Sequence, residues 1–387
     1  MKALILAAGR GERLLPMTES RPKALLPIAN KPLIDYQIAA LKREGVYEIA
    51  VVAGHYEEKL RAHLDDVKFY RDTRISGTAS AVYAAREFID EDFILIYGDV
   101  FFDGPLDALI REKNAMLIYH VSDVSAYGEV ITTHEGFLHD IREKKGRGEG
   151  FINAGLYHLE PEIVDFIAQT SQSERGEYEI TDALTAMSRE LADRSDGSDS
   201  NGSDRNGRGI KTIIFEGYWR DIGYPWDYLD ANMYMLRKIG FHIGENTDVW
   251  DTAIIRKPVI IGRDCEIKNC VIEHSVIGDG CTVGEFSVVK RSVVMRRSKV
   301  PHLNYVADSI IGERCNLGAG TKIANLRFDG KNVKMLVKGE VVDSGRRKLG
   351  AVIGDDVKTG INVSIYPGVK ISGGRWIDAE TLVRRDL

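Results

Sequence analysis

Cysteine is scarce in this sequence, and its spacing argues against the sites that cysteine usually builds. Four of the 387 residues are cysteines, Cys265, Cys270, Cys281 and Cys315, and all lie in the last third of the chain. They form no CxxC pair and have no clustered histidines nearby. A zinc site or a disulfide framework is therefore disfavoured, and we interpret the four side chains as small apolar fillers of a core.

An excess of positive charge and long apolar runs are also missing. The formal net charge is −6, whereas nucleic acids and anionic membranes bind proteins through a basic face. The apolar run after Met1, KALILAAG, is shorter than a signal-peptide core and is patterned like a buried strand. We therefore expect a soluble, cytoplasmic protein whose partners are small molecules and copies of itself, with no nucleic acid and no membrane.

The chain from Met1 to about Leu229 alternates short β-rich runs with helical patterns. The runs are ALILA, EIAVVAG, FILIYGD and AMLIYHV, and PLIDYQIAALKREGV is an example of the helical pattern. This alternation predicts an α/β domain with a Rossmann-like, mostly parallel sheet and helices on both faces, which binds ligands at the carboxyl ends of its strands. The polar segment from Asp193 to Gly209 has almost no apolar side chain and is predicted to be a surface loop.

A different pattern follows the stretch PWDYLDANMYMLRKIG, which predicts a connecting helix that stops at Gly240. Beyond it, apolar residues recur at every sixth position, often followed by a glycine that relieves strain in a turn. We expect a parallel β-helix of triangular section whose flat faces favour self-association. The predicted parts are residues 1–226, a linker helix at 227–243 and the β-helix at 244–387. The recurring residues are Val259, Cys265, Val271, Ile277, Val283, Val289 and Met295, then Ile311, Leu317 and Ile323, then Ile353, Ile365 and Ile371.

The glycine-rich stretch LAAGRGERLLP directly follows the first predicted strand. Gly9 and Gly11 allow backbone N–H groups to approach an anion, and Arg10 and Arg13 add positive charge. The next motif, RPKALLPIANKPLI, places Lys23 after a turn restricted by proline. A lysine near a phosphate-binding loop stabilises charge on a phosphoryl group during transfer, so the two motifs together predict phosphoryl-transfer chemistry.

Two aspartates are candidates for a metal site. Asp99, in LIYGDVFF, ends an apolar strand where a carboxylate has no role in the core, and Asp221, in YWRDIGYP, lies in a tight glycine- and proline-containing turn. Carboxylates at the ligand-binding edge of a sheet suit a divalent cation. The alternative interpretation is that each aspartate only forms or caps a turn.

The motifs of the N-terminal half, taken in order, resemble those of the sugar-1-phosphate nucleotidylyltransferase family. They are LAAGRGERLLPMT, RPKALLPIANKPLI, SGTASAV, YGDVFF, INAGLYHLEP, GEYEITDAL and YWRDIGYPWDYLDAN. The resemblance implies Mg²⁺ as a cofactor and a nucleoside triphosphate and a sugar 1-phosphate as substrates. The residues it implies are Arg13 and Lys23 for catalysis, Ala7, Ala8, Gly9, Gly11, Gly77 and Thr78 for the nucleotide, Gly128, Glu143 and Asn153 for the sugar phosphate, and Asp99 and Asp221 for the metal.

One departure from the family pattern concerns the nucleobase. Many members carry a glutamine shortly before the Gly-Thr pair, where it reads the pyrimidine edge, whereas RDTRISGTA has Asp72 or its neighbours in that region. The choice between UTP, dTTP and a purine nucleotide therefore stays open.

A second group of polar residues interrupts the six-residue repeat. The stretch from Pro301 to Met335 carries His302, Tyr305, Asn325, Lys331 and Lys334, although an ordinary coil needs no ionisable side chains. An isolated histidine in a loop is usually only surface, but that does not explain the neighbouring amide and lysines. The group resembles the acetyltransferase domain of the bifunctional glucosamine-1-phosphate acetyltransferase/N-acetylglucosamine-1-phosphate uridylyltransferase family, archaeal members above all, and LGAVIGDDVKTGINVSIYPGVKI extends this resemblance.

The chemistry of acetyl transfer agrees with that resemblance. The amine of an amino sugar is mostly protonated at neutral pH, and an imidazole such as that of His302 is suited to remove the proton. Asn325 could donate to the oxyanion of the tetrahedral intermediate. Lys331 and Lys334 could neutralise the sugar phosphate, and Tyr305 could contact the same substrate.

The resemblance further implies a left-handed β-helix, a homotrimer, and an acetyl-CoA groove between neighbouring subunits. The cofactor is expected near Ala351 and Gly360, with Arg384 or Arg385 near its phosphates. The predicted activity is acetyl transfer from acetyl-CoA to glucosamine 1-phosphate, then uridylyl transfer from UTP to N-acetylglucosamine 1-phosphate, giving UDP-N-acetylglucosamine. Two alternatives stay open: a monofunctional glucose-1-phosphate UTP/dTTP nucleotidylyltransferase with a structural β-helix, and a non-catalytic regulatory or scaffold subunit.

Overall fold

The computed structural model describes residues 1–73, 76–173, 176–196 and 209–387. By their contacts these residues form two compact units. The first consists of Met1–Arg10 and Ile34–Asp221, and the second of Gly11–Leu33 and Ile222–Leu387. The segment predicted as a loop from Asp193 to Gly209 begins as helix up to Asp196, and its residues 197–208 lie outside the described residues.

The first 239 residues supply thirteen strands and seven helices within the described part of the chain. The strands are β1 (Lys2–Ala7), β2 (Pro27–Ile28), β3 (Lys31–Pro32), β4 (Glu48–Ala53), β5 (Lys68–Arg71), β6 (Phe93–Tyr97), β7 (Val100–Asp103), β8 (Ala115–Val121), β9 (Gly128–Thr132), β10 (Leu138–Glu143), β11 (Gly150–Leu159), β12 (Lys211–Ile214) and β13 (Tyr218–Asp221). The helices are α1 (Leu33–Arg43), α2 (Glu57–His63), α3 (Thr78–Ala84), α4 (Asp107–Arg111), α5 (Ile163–Gln169), α6 (Ile180–Asp196) and α7 (Pro225–Ile239), and short 3₁₀ turns cover Glu12–Leu14, Lys23–Leu25 and Arg86–Phe88.

The sheet of the first unit runs β10-β9-β11-β6-β1-β4-β5, with β8 paired to β11 and β12 to β8. Its middle strands are apolar on both faces and are buried, as expected where β1, β4, β5 and β6 run parallel. Beyond β6 the partners turn antiparallel, because β11 runs against β6, β8 and β9. The predicted α/β architecture is confirmed, and its sheet is mixed.

The second unit is a parallel β-helix preceded by α7, which ends before Gly240 at a φ of 80°. Strands stack into three parallel sheets, and bridges at Asn316 join two parts of one of them. The strands are β14 (Phe241–Ile243), β15 (Asp248–Val249), β16 (Ile254–Arg256), β17 (Val259–Ile261), β18 (Glu266–Ile267), β19 (Val271–Glu273), β20 (Val276–Ile277), β21 (Thr282–Val283), β22 (Val288–Lys290), β23 (Val293–Val294), β24 (Lys299–Val300), β25 (Tyr305–Ala307), β26 (Ile310–Ile311), β27 (Lys322–Ile323), β28 (Lys334–Val337), β29 (Glu340–Asp343), β30 (Val352–Ile353), β31 (Lys358–Thr359), β32 (Ser364–Ile365), β33 (Lys370–Ile371), β34 (Trp376–Ile377) and β35 (Leu382–Val383).

The register of the coils differs from a strict six-residue repeat. Ile277 pairs with Val294 and Val294 with Ile311, a step of 17 residues per coil, whereas Ile353 pairs with Ile371, a step of 18. The coils with a 17-residue step are one residue shorter than three repeats of six, whereas Phe241 and Val259 are 18 residues apart and Ile261 and Ile277 are 16 apart. As a result Val271, predicted in the core, is only half-buried, and its neighbour Ile272 is in the core instead.

The interior of the β-helix is a single stack of aliphatic side chains that also contains all four cysteines, which confirms their interpretation as core fillers. The stack is interrupted between Ile323 and Val352 by an antiparallel hairpin, β28 and β29. No helix among the described residues is long and apolar enough to span a membrane.

Candidate active sites

The glycine-rich turn begins where β1 ends. Ala7 and Ala8 are buried, and Gly9 and Arg10 are exposed. A Cβ placed on Gly9 has no atom within 4 Å, so this backbone borders open space. Gly11 adopts a φ of 66°, and its carbonyl accepts a hydrogen bond from the Thr18 hydroxyl at 2.8 Å. The turn thus exposes backbone at the carboxyl end of a central strand, where parallel sheets bind ligands.

The Gly77–Thr78 pair opens helix α3 and cannot carry a side chain at its first position. Gly77 has a φ of 123°, and a Cβ there would lie 2.3 Å from the carbonyl oxygen of Tyr178. Thr78 accepts a hydrogen bond from the backbone N–H of Ile180 at 3.0 Å. Asp72 is buried, and its carboxylate accepts from the Ser80 hydroxyl at 3.1 Å. We therefore assign Asp72 to the positioning of α3.

A network of buried hydroxyls joins the predicted sugar residue Asn153 to the end of β6. The Tyr157 hydroxyl lies 2.7 Å from the Asn153 side-chain oxygen and 3.0 Å from the Tyr97 hydroxyl, and Tyr97 also contacts Thr78. Burial raises the pKa of both tyrosines, so both stay neutral donors. The sequence analysis missed Tyr97 and Tyr157, although a tyrosine directly before Gly-Asp at a strand end was the available signal.

Gly128 and Glu143 lie opposite each other on β9 and β10. A Cβ on Gly128 would come within 2.8 Å of Glu143 Oε1, so the absence of a side chain there leaves room for the carboxylate. The negative charge of Glu143 is one of the causes, after burial, that raise the pKa of Tyr97. Glu143 therefore lies near the hydroxyl network, as the predicted sugar site requires.

The two candidate metal ligands stand at one end of the β7–β13 ribbon. Asp221 pairs with Val100, the residue after Asp99, and opposed residues in such a ladder are about 5 Å apart. Buried Gln37 donates to the carbonyls of Tyr97 and Val100, at 2.9 and 2.8 Å, and so holds the turn that carries Asp99. The sequence analysis missed this glutamine.

The donor chemistry of this pair fits magnesium. Mg²⁺ in nucleotide sites is usually bound by one or two carboxylates together with substrate phosphates and water. Among the described residues no group of three or more His, Cys, Asp and Glu side chains is placed to hold a metal ion. Asp99 and Asp221 therefore suit a magnesium ion that arrives with a nucleotide rather than one held by protein alone.

Arg13 and Lys23 lie on the segment that belongs to the second unit. The Arg13 guanidinium stands 5.2 Å from the centre of the Tyr224 ring, which stacks on Trp226 at 4.6 Å. Lys23 opens a 3₁₀ turn directly after Pro22 and is half-buried. Both cations are thus held on short, well-defined backbone.

In the β-helix, His302 is paired with a carboxylate that the sequence analysis missed. His302 Nδ1 lies 2.8 Å from Glu285 Oε2. The two residues are one coil apart, because Val283 pairs with Val300. The backbone N–H of Glu285 and the neighbouring His302 lower the pKa of the Glu285 carboxyl, so it is ionised at neutral pH. A carboxylate this close to Nδ1 favours a proton on that nitrogen, which leaves Nε2 able to accept one.

Asn325 is oriented by a second carboxylate. Its side-chain nitrogen donates to Asp308, which also forms two 2.6 Å bonds with the Arg291 guanidinium. An amide nitrogen has two hydrogens, so one remains for another acceptor. The structure thus supplies a reason for the rotamer of Asn325 and adds Asp308 and Arg291 to the predicted set.

The remaining predicted sugar-phosphate residues surround the interruption of the coils. Tyr305 lies in β25 beside Lys322 of the next coil. Lys331 and Lys334 are exposed, and Lys334 begins the inserted hairpin. Exposed ammonium groups on an inserted loop are suited to bind a phosphate.

The predicted cofactor residues differ in burial and in the bonds that they already make. Ala351 is buried in the core, its N–H donates to Ser309 and its carbonyl accepts from Ile310. The N–H of Gly360 donates to Ile377 at 2.7 Å. Arg384 and Arg385 are exposed, and Arg384 lies over the Tyr366 ring at 5.8 Å. The backbone of Ala351 is therefore used by the coil itself.

Comparisons with known proteins cover both parts of the chain. The family model described as "Nucleotidyl transferase" matches residues 2–238, and "GMPPB C-terminal domain" matches residues 255–347. "Bifunctional protein GlmU" of Methanocaldococcus jannaschii is 37% identical, over 100% of this chain and 96% of the relative. "Bifunctional sugar-1-phosphate nucleotidylyltransferase/acetyltransferase" of Sulfurisphaera tokodaii is 40% identical, over 100% and 98%.

A solved structure supports the fold. A protein described as a glucose-1-phosphate thymidylyltransferase from Bacillus anthracis matches with a TM-score of 0.52 at 23% identity, over 62% of this chain and 97% of that one. That likeness concerns the fold alone, whereas the relatives share the whole length of the chain. The chain therefore belongs to the nucleotidyl transferase family and, along its full length, to its bifunctional sugar-1-phosphate nucleotidylyltransferase/acetyltransferase members.

Proposed function

We infer that the chain is a bifunctional enzyme that makes UDP-N-acetylglucosamine. Its β-helix acetylates glucosamine 1-phosphate with acetyl-CoA, and its N-terminal part joins the product to UMP from UTP and releases pyrophosphate. Full-length similarity to relatives named as bifunctional supports both activities. Within this chain, the His302–Glu285 pair is the observation that carries the acetyltransferase, because it joins neighbouring coils at the point where the resemblance expects the base.

For acetyl transfer, we propose that His302 takes the proton of the amino sugar as its nitrogen attacks the acetyl carbonyl carbon. Glu285 stabilises the imidazolium that forms. The carbonyl oxygen becomes an oxyanion, to which Asn325 donates its second N–H. The C–S bond then breaks, and the leaving CoA thiolate takes the proton that the His302 imidazolium gives up. Tyr305, Lys331 and Lys334 hold the sugar phosphate in this proposal.

For uridylyl transfer, the phosphate of the sugar attacks the α-phosphorus of UTP in line, and the bond to the pyrophosphate oxygen breaks. No general base is needed, because the attacking phosphate is already an anion. Arg13 and Lys23 neutralise the charge on the departing pyrophosphate. We assign Asp99 and Asp221 to Mg²⁺, which when bound neutralises phosphate oxygens.

Substrate binding in this half follows the networks described above. We assign Ala7, Ala8, Gly9 and Gly11 to the nucleotide phosphates and Gly77 with Thr78 to the base. Asn153, Glu143 and Gly128 receive the sugar, supported by the Tyr97–Tyr157 hydroxyls. The Asp72 carboxylate binds the Ser80 hydroxyl, so it offers no argument for UTP over dTTP. We propose UTP as the nucleotide.

We also propose a homotrimer formed through the β-helix, with acetyl-CoA between neighbouring subunits. Large apolar side chains are exposed on the coils, among them Phe286 and Leu303, each next to a residue of the His302–Glu285 pair. Exposed clusters of this kind often mark self-association. Gly360, Arg384 and Arg385 remain candidates for the cofactor groove, and Ala351 could contribute only by its position in the coil.

A coupled assay with purified protein tests the proposal. The reaction contains glucosamine 1-phosphate, acetyl-CoA, UTP and Mg²⁺, and free thiol and pyrophosphate are followed separately. We expect His302→Ala to lower thiol release by roughly 10²- to 10⁴-fold, the usual contribution of a general base. Pyrophosphate release from supplied N-acetylglucosamine 1-phosphate should be unchanged.

His274→Ala is the matched control. His274 also lies beside a carboxylate of the β-helix, Glu273, at 3.4 Å, but outside the predicted acetyltransferase residues. It should leave both products unchanged. Release of pyrophosphate, with no thiol released from any amino-sugar phosphate, would establish the monofunctional alternative. Release of neither product would favour the scaffold alternative.

A further inference from the structure

The segment that carries Arg13 and Lys23 belongs to the same compact unit as the β-helix. This segment, Gly11–Leu33, groups with Ile222–Leu387. Specific polar contacts join the segment to the coils.

The strongest of these contacts is a buried ionic cluster. The two terminal nitrogens of Arg21 bond separately to the carboxylates of Glu313 and Asp355, and all three side chains are at least nine-tenths buried. The Ser20 hydroxyl donates to Asp355 at 2.6 Å, and the Glu313 backbone N–H donates to the same carboxylate at 2.8 Å. Desolvation lowers the pKa of Arg21, but the charges of Asp355 and Glu313 outweigh it and raise the pKa overall.

Weaker contacts fix the segment on either side of this cluster. Lys338, in the turn of the inserted hairpin, lies 2.9 Å from Glu12. The backbone N–H of Gly373 donates to Glu19 at 2.6 Å, and Asn30 donates to the carbonyl of Ile277 at 2.7 Å. Residues from several coils therefore bind the segment at points spread along it.

A buried ion cluster is a poor device for stability, because packed apolar side chains of the same volume usually do as well or better. It does fix the orientation of the side chains, since a planar guanidinium donates to two carboxylates in a fixed geometry. Arg21 is separated from Lys23 by Pro22 alone, whose φ of −67° is fixed by its ring. The backbone between Arg21 and Lys23 therefore has little freedom, so a fixed Arg21 restricts the position of Lys23.

We propose that Arg21 is a positioning residue for nucleotidyl transfer and that Glu313 and Asp355 of the β-helix hold it in place. The proposal rests on the function proposed above, in which Arg13 and Lys23 act on the phosphates of UTP. Its consequence is that nucleotidyl transfer depends on side chains of the β-helix. Misplacing a catalytic group by about 1 Å can cost about 10²-fold in rate.

The test compares variants by two activities measured on the same preparation. In Asp355→Asn and Glu313→Gln we expect the kcat of pyrophosphate release to fall at least about tenfold. The KM for N-acetylglucosamine 1-phosphate should change less than about threefold, because the residues assigned to the sugar are elsewhere. Thiol release should stay within about twofold, which shows that the β-helix is intact. Arg21→Lys should retain more pyrophosphate release than Arg21→Met, because it keeps the charge.

Asp356→Asn is the matched control. Asp356 follows Asp355 in the chain, is half-exposed and binds Arg314 through both oxygens, at 2.8 and 2.7 Å. Arg314 also donates to Glu313 at 3.0 Å, so this variant changes the surroundings of the cluster and leaves the bonds of Arg21 in place. This variant should leave both activities unchanged. If Asp355→Asn does not fold, Lys338→Met removes the surface contact with Glu12 instead and should lower pyrophosphate release while sparing thiol release.

Three results would overturn the proposal. The first is unchanged pyrophosphate release in folded Asp355→Asn and Glu313→Gln. The second is a parallel fall of both activities together with the melting temperature, which would make the cluster purely structural. The third is an equal effect of Asp356→Asn. A wild-type protein that binds UTP with Mg²⁺ but releases no pyrophosphate would instead refute the proposed function.

Discussion

At the scale of single residues, the acetyltransferase proposal depends on how Glu285 acts on His302. Glu285 is ionised at neutral pH, since its own backbone N–H and His302 lower the pKa of its carboxyl. In Glu285→Gln the charge that favours the imidazolium is lost. We expect thiol release to fall roughly ten- to hundredfold. Pyrophosphate release should not change.

Glu273→Gln is the control for this prediction, because Glu273 stands beside His274 in a similar pair. It should leave the rate of thiol release as in the wild type. A Glu285→Gln enzyme with the wild-type rate of thiol release would show that the carboxylate does not act through His302.

Asp308 provides a second prediction at this scale. It binds both Asn325 and Arg291, so Asp308→Asn removes the charge that fixes the orientation of the Asn325 side-chain amide. We expect the kcat of acetyl transfer to fall about tenfold, with the KM for glucosamine 1-phosphate little changed, because an oxyanion donor acts mainly in the transition state.

The exposed pair of Asn246 and Asp264, 3.3 Å apart, offers a matched comparison in the same β-helix. Asp264→Asn should leave acetyl transfer unaffected. Equal losses in both variants, or a raised KM alone in Asp308→Asn, would argue against an orienting role for Asp308.

The sequence predicted candidate residues for both proposed sites but not the residues that contact them. His302 and Asn325 were found because polar groups interrupt an apolar repeat. Glu285 and Asp308 were not, because their pairing depends on coils of 17 residues, whereas a strict six-residue repeat predicts 18. Gln37, Tyr97 and Tyr157 were missed since their contacts join elements far apart in sequence.

At the scale of secondary-structure elements, strand identity was predictable and strand direction was not. The apolar runs of β1, β4 and β6 are parallel neighbours, as the alternation with helices predicted. β8 and β11 pair antiparallel, and nothing in their apolar pattern distinguishes that arrangement. The glycine stop after α7 was predicted correctly, because the required φ of 80° suits glycine.

The start of α3 gives the prediction at this scale. In Gly77→Ala the new methyl group meets the Tyr178 carbonyl at 2.3 Å, and the φ of 123° is unfavourable for alanine. We expect the free energy of unfolding to fall by about 2–3 kcal/mol, measured by urea denaturation, and the KM for UTP to rise.

Gly45→Ala separates the two causes. Gly45 also has a positive φ, 80°, but a Cβ there has no atom within 4 Å. Its loss of stability should be about 1 kcal/mol, with the UTP reaction intact. Similar losses in both variants would mean that α3 shifts to relieve the collision.

At the scale of the whole molecule, the domain boundary predicted from the sequence and the compact units of the structure rest on different criteria. The predicted division at residues 226 and 244 follows the change of pattern along the chain and stays a prediction. The compact units instead place Gly11–Leu33 with the β-helix, and Arg21 of this segment bonds to a distant coil. No local pattern could reveal that, since Arg21 and Glu313 are 292 positions apart.

The cysteines of the β-helix core give a prediction for the molecule as a whole. Burial raises the pKa of the Cys270 and Cys315 thiols to about 12, and it raises the pKa of Cys265 and Cys281 as well. An unfolded cysteine ionises near pH 8.5. At pH 8 the native protein should therefore react with a thiol reagent such as DTNB only as fast as it unfolds, whereas all four thiols should react at once in guanidinium chloride.

The same shifts set the direction of the pH dependence of stability. Because the folded-state pKa lies above the unfolded one, the neutral thiols contribute stability that is fully present below about pH 8.5. This stability is lost progressively as the pH rises from there toward 12. Urea denaturation at pH 8 and pH 10 should show the fall, and replacing Cys270 and Cys315 by alanine should reduce the difference between the two pH values although it lowers stability at both. A native thiol that reacts rapidly at pH 8 would contradict the closed core from which the β-helix coils derive their packing.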